Sequence, residues 1–208
     1  MRRLVAAGLL IAVAMPAWAQ SRPPSFPTRD ATVTYTTGNG RVITISYGAV
    51  GQHMRIQGMA GAAGYVIVDR AGGTATIVEP ARHMYMRMPE SPAMRAGMMG
   101  SELRNATFSR EGSDTVAGIS CTMWKVTTTK GTGDACITSD GLLLRARGRA
   151  NGSSQGQQQY MLATKVTYGA LPASTFEPPA GFHPLTLPPG MMPGGAMPGG
   201  MPPPQPQH

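Results

Sequence analysis

The hexapeptide His83-Met84-Tyr85-Met86-Arg87-Met88 places three thioethers at every second position. In an extended strand such positions project from one face, so Met84, Met86 and Met88 form a row and His83, Tyr85 and Arg87 take the opposite side. Thioether sulfur is a soft ligand that selects Cu(I), and His83, or His53 from earlier in the chain, could complete such a site. The same row suits the lining of a hydrophobic-ligand pocket, because the unbranched Met side chain repacks around different shapes. It also suits a plain core stripe, which is what an apolar strand face usually is. Met94, Met98 and Met99 follow at the three-to-four spacing of a short amphipathic helix from Glu90 to Leu103, which would cover that stripe. Further methionines, Met191, Met192, Met197 and Met201, lie near the end of the chain.

Cys121 and Cys136 are the only two cysteines. In an oxidising compartment they would join, and closing a loop of this size stabilises a fold by ~3 kcal/mol on the chain-entropy model. The alternative, a metal pair, lacks a third or fourth Cys or His at ligand spacing. The beginning of the sequence points to the same compartment. Arg2 and Arg3 precede an apolar run from Leu4 to Ala14, Pro16 ends it, and Ala17-Trp18-Ala19 supplies the small residues that signal peptidase requires. Residues 1–19 therefore read as a cleavable signal peptide, since the run is well short of the roughly 20 residues needed to span a bilayer. The expected localisation is periplasmic.

Catalytic patterns are missing. Gly118-Ile119-Ser120-Cys121-Thr122 is the nearest approach to a nucleophile elbow, and it fails at the final glycine. No His-x-x-x-His or Glu-containing zinc motif occurs among the four histidines. Asp69 and Asp140 sit at a strand end and in a turn, which are ordinary structural positions. The sequence reads as a non-enzyme without a cofactor.

The chain has 18 basic and 10 acidic residues, and without Arg2 and Arg3 the net charge is +6. Arg145, Arg147 and Arg149 alternate along one strand and read as a solvated face. They are too few, and too poor in interleaved aromatics, for a nucleic-acid surface, whereas attraction to an anionic membrane surface is compatible with the charge.

The elements that must carry these residues are strands. After a Pro-rich leader over 20–28, β-branched and aromatic runs alternate with Gly, Asn and Asp. Ala31, Val33 and Tyr35 alternate with threonines, Gly38-Asn39-Gly40 turns the chain, and Val42 to Tyr47 returns, which predicts a hairpin. Further strands are expected at His53–Gln57, Tyr65–Asp69, Thr74–Glu79, His83–Met88, Ala106–Arg110, Cys121–Thr128, Ala135–Thr138, Leu142–Arg149 and Tyr160–Tyr168. Ala71-Gly72-Gly73, Gly131-Thr132-Gly133 and Ser139-Asp140-Gly141 are the expected turns. Residues 185–208 are Pro, Gly and Met repeats whose composition predicts a disordered tail.

Two stretches go beyond generic β patterning. One runs from Val116-Ala117-Gly118-Ile119-Ser120-Cys121 through Trp124-Lys125-Val126 to Ala135-Cys136-Ile137 and Asp140-Gly141-Leu142-Leu143-Leu144-Arg145. The other runs from Val166-Thr167-Tyr168-Gly169 through Leu171-Pro172-Ala173-Ser174-Thr175-Phe176 to Glu177-Pro178-Pro179-Ala180-Gly181-Phe182. With Met54-Arg55-Ile56 and Tyr85, these resemble an uncharacterised family of secreted bacterial domains related to the lipoprotein carriers LolA and LolB. The resemblance implies a mainly β fold over 29–184, a curved antiparallel sheet forming an incomplete barrel, with one or two short helices over its concave face. It also implies a monomer that binds a lipid, an acylated protein or another hydrophobic envelope component. On this reading Met84, Met86, Met88, Met94 and Met98 are the candidate lining. The Cu(I) site, or an interaction protein without a ligand, are the other readings.

Overall fold

The computed structural model describes residues 22–58, 64–90, 105–150 and 159–185. Twelve strands form one sheet. The first six are β1 (Ala31–Thr37), β2 (Val42–Gly48), β3 (His53–Gln57), β4 (Tyr65–Asp69), β5 (Thr74–Glu79) and β6 (Met84–Pro89). Then follow β7 (Thr107–Val116), β8 (Ile119–Thr127), β9 (Gly131–Ile137), β10 (Leu143–Ala150), β11 (Gln159–Tyr168) and the two-residue β12 (His183–Pro184).

The order across the sheet is β12-β6-β5-β4-β3-β2-β1-β11-β10-β9-β8-β7. Two antiparallel meanders thus meet at a seam where β1 pairs with β11, Ala31 opposite Tyr168 and Val33 opposite Val166. Only the β12 to β6 pairing is parallel. Three short 3-10 turns, at Val50–Gln52, Pro80–Arg82 and Ala173–Phe176, are the helical segments among the described residues. The expected helix from Glu90 to Leu103, with Met94 and Met98, lies almost wholly outside them, as do the signal peptide and all but the first residue of the tail.

Period-two patterning decides which face carries the core. Val33 and Tyr35 of β1 are fully buried while their threonine neighbours are half-exposed. Across β2 to β5 the register carries this face through Ile45, Ile56, Val66 and Ile77 without a shift. Leu142, Leu144, Cys121 and Cys136 join the same buried cluster from the other meander.

The sheet curls toward this face. The Tyr35 hydroxyl donates to the Leu143 carbonyl at 2.7 Å, reaching past β11 to β10. Arg145 of β10 donates to the Asp114 carboxylate at 2.6 Å, reaching past β9 and β8 to β7. Such bonds skip intervening strands only on a concave side. The interior around the seam is filled by its own side chains, with Tyr35, Leu142 and Leu144 at 0% exposure.

Two sequence expectations change. The strand expected at Ala106–Arg110 extends to Val116, because a bulge at Glu111 and Gly112 at φ 152° absorb a turn-like Glu-Gly-Ser-Asp stretch into an exposed strand. Gly131-Thr132-Gly133 is not a turn but the beginning of β9. The turn sits just before it, where the Thr128 hydroxyl accepts from the backbone of Lys130 and Gly131. Gly133 faces Gly148 and lies against the Arg147 carbonyl, so its lack of a side chain serves close strand approach. Between β7 and β8, Ala117 and Gly118 both have positive φ, as a two-residue primed hairpin turn requires.

Candidate functional site

The methionine row lies on the curled-in face. Met86 pairs with Ile77 and Met88 with Ala75, so the row continues the core-bearing face to the β6 side of the sheet. It is half-buried and belongs to none of the buried clusters. Tyr85 and Arg87 take the opposite face, as their spacing requires. His83 does not join the row. It ends the 3-10 turn in a left-handed conformation, and its ring lies 5.3 Å from that of Phe182. His53 is on the opposite face of β3, in the row of Gly48 and Asp69. Among the described residues, no three His, Cys, Asp or Glu side chains are grouped to hold a metal.

That opposite face has its own cover. Beyond β11 the chain forms a strap over β2 to β6. Leu171 anchors it by donating its backbone N–H to Asp30 at 2.9 Å, Phe176 and Phe182 pack with Tyr65, Ile67 and Val78, and β12 pairs with β6. Gly48 makes room: a Cβ there would meet the Phe176 ring at 2.7 Å. Phe176 stacks on His53 with ring centroids 5.7 Å apart. Beneath the strap is a cavity of about 300 Å³ with Ile67, Phe176 and Pro178 on its walls and His53, Asp69, Thr74, Thr76 and Arg87 as its polar groups. Sequence reasoning missed this site. Phe176 and Phe182 stood in the second of the two stretches noted above, but Pro-rich segments carry no periodicity that tells which face they cover.

The leader closes one end of the concavity. Phe26 is buried against Tyr47, Arg70 lies over the Phe26 ring and donates to the Ser25 carbonyl, and Thr28 donates its N–H to the Asp140 carbonyl at 2.8 Å. Arg29 donates to the Asp140 carboxylate at 3.2 Å, and Thr138 and Tyr168 donate to its other oxygen. Burial disfavours the charged form of Asp140, but the bonds from Thr138 and Arg29 outweigh it and hold the carboxyl below its ordinary pKa. A group with a depressed folded pKa stabilises above its unfolded pKa and loses that contribution as pH falls through the folded one. The stability difference between wild type and Asp140→Asn should therefore be constant at neutral pH and shrink below about pH 4, as thermal melts at stepped pH would show.

The disulfide is formed: Cys121 and Cys136 are bonded and buried in adjacent strands. Arg145, expected on a solvated face, instead runs alongside the disulfide to Asp114, touching the Met123 sulfur at 3.2 Å. The backbone N–H of Thr115 and the Arg145 guanidinium lower the Asp114 pKa. Arg147 and Arg149 are exposed, Arg147 over the Tyr160 ring.

A family model described as a domain of unknown function, DUF4412, matches residues 33–159. The chain belongs to the DUF4412 family. The match runs from within β1 to the first residue of β11, so the leader and the strap lie outside the matched part of this DUF4412 protein. Curated proteins yield no match. Among solved structures, the DUF4412 chain is similar to MucB in complex with MucA(peri), at 18% identity over 80% of this chain and 62% of that one, with a TM-score of 0.51. The MucA/MucB complex of Pseudomonas aeruginosa gives 18% identity over 80% and 64%, with a TM-score of 0.50. An uncharacterized conserved protein from Thermus thermophilus gives 9% identity over 76% and 90%, with a TM-score of 0.50. This chain spans less than two thirds of the MucB chains it matches. At such identities the likeness shows the fold alone.

Proposed function

We propose that this protein is an exported, periplasmic, non-enzymatic binding protein that holds a hydrophobic guest, an acyl chain or an apolar segment of an envelope partner, against Met84, Met86 and Met88. The observation that carries this reading is the continuity of that row with the core-bearing concave face, combined with its being only half-buried while the interior near the seam is full. An apolar row that the described residues leave partly uncovered can take a guest, and thioethers adapt to its shape. The amino-terminal signal pattern, the disulfide and the resemblance to lipoprotein carriers support the compartment and the guest class. The similar structures in which MucB is in complex with MucA support a protein partner as one form of that guest.

The spacing of the row favours a second reading, Cu(I) held by the three thioethers. One set of variants separates the two. Delipidated protein should bind a fluorescent fatty-acid probe saturably, and changing Met84, Met86 and Met88 together to Ser should weaken it on the order of a hundredfold, each thioether contact being worth about 1 kcal/mol. Changing all three to Leu keeps the apolar surface and should preserve probe binding while removing any Cu(I) affinity measured against a chelator. Wild-type protein that takes up no probe overturns the hydrophobic reading. Cu(I) affinity that persists in the Leu variant overturns the copper one.

A further inference from the structure

The cavity under the strap lies on the opposite side of the sheet from the methionine row, and it combines one apolar wall with an unpaired cation. Arg87 of β6, an exposed side chain, lines it, and among the described residues this guanidinium makes no ion pair or hydrogen bond. In the same cross-strand row, the register runs Arg55, Ile67, Thr76, Arg87 from β3 to β6. Thr76 is buried, and neither its hydroxyl nor that of Thr74 has a partner among the described residues. A second guanidinium stands on this face, Arg55 over the Tyr65 ring at 3.8 Å, with its buried Nε lacking a hydrogen-bond partner. The one carboxylate of the cavity is already engaged. Asp69 accepts the Gly72 N–H at 2.7 Å on the turn side, and His53 Nδ1 lies 3.9 Å from the same oxygen.

We infer that this cavity is a binding site for a small organic anion with an apolar body. Its carboxylate or phosphate pairs with Arg87 and accepts from Thr74 and Thr76, while its body lies against Ile67, Phe176 and Pro178. A planar guanidinium recognises either head group through paired N–H donors. A volume of about 300 Å³ is at the small end of ligand pockets, which suits a small body better than a full acyl chain.

The test is an NMR titration of the labelled protein with benzoate and, separately, with inorganic phosphate. Saturable benzoate shifts at the Thr74, Thr76 and His53 signals of the unaltered protein are expected. Arg87→Gln should weaken benzoate binding about tenfold or more. Arg110→Gln, which removes an exposed charge from β7, should leave it unchanged. Phosphate shifting the same signals without benzoate doing so would identify a free phosphate site and overturn the apolar-body assignment. Shifts confined to other residues, or equal losses in the two Arg variants, would overturn the site. Because the readout is the strap cavity and not the methionine row, failure here leaves the fatty-acid experiment unaffected.

Discussion

Replacing Tyr35 by Ala should destabilise the protein by about 3–5 kcal/mol, and replacing it by Phe by about 1–2 kcal/mol. Tyr35 is fully buried beside the seam, and its hydroxyl ties β1 to β10 and to β2 on the concave side, donating to the Leu143 carbonyl at 2.7 Å and meeting the Tyr47 hydroxyl at 3.3 Å. Burial pushes its pKa well above the ordinary phenol value, so the hydroxyl stays neutral and donating. The Phe variant keeps the ring's packing and leaves the carbonyl and Tyr47 short of a partner. The Ala variant also opens a ring-sized hole where two meanders join. Urea midpoints of the two variants separate the terms. A Phe variant as damaging as the Ala variant would place the energy in the hydroxyl network, and an undamaged Phe variant would mean that the bond to Leu143 adds nothing net.

Removing the disulfide should cost about 3 kcal/mol, whether by a reducing agent in the unfolding buffer or by changing Cys121 and Cys136 together to Ala. The bond closes a loop of separation 15 in the unfolded chain, and that restriction is lost on reduction. The two routes differ informatively. Ala at both positions removes buried sulfur from beneath the Arg145–Asp114 pair, so it should cost slightly more than reduction, which leaves two buried thiols in place. Denaturant curves with and without reductant, compared with those of the double variant, measure both. Identical curves with and without reductant would show that pairing between β8 and β9 already restricts the unfolded chain as much as the covalent bond does.

Much of the first meander is legible in the sequence, because β1, β2, β3 and β6 set their core-facing apolar residues at every second position, whereas β4 and β5, buried on one face by the core and on the other by the strap, do not show that asymmetry. The side of the methionine row is legible for the same reason. What alternation does not encode is partnership. Nothing local in Ala31–Thr37 says that its second neighbour is Gln159–Tyr168. Nor does it encode edges: β7 buries little, so the stretch from Glu111 to Asp114 reads as turn-like although Gly112, Ser113 and Asp114 pair with β8 and Glu111 is absorbed as a bulge. Arg145 reads as solvated because its partner, Asp114, is brought near only by the curl. The strap cavity draws polar groups from β3, β4, β5 and β6 and a roof from beyond β11, so no window of sequence contains it. How far the methionine row is covered is likewise a matter of neighbours.

The seam also dictates an order of events for a nascent chain. A chain that emerges amino terminus first presents β1 to β6 before the rest, and β1, with an unpaired side, must wait until residue 168 has emerged before its partner is available. Throughout that interval the N-terminal half carries an open, β-branched edge that any extended segment can template on, including the same edge of another incompletely folded copy. The final closure joins residues more than a hundred positions apart, so the maturation rate should track the time to complete that long-range zipper rather than the formation of either meander.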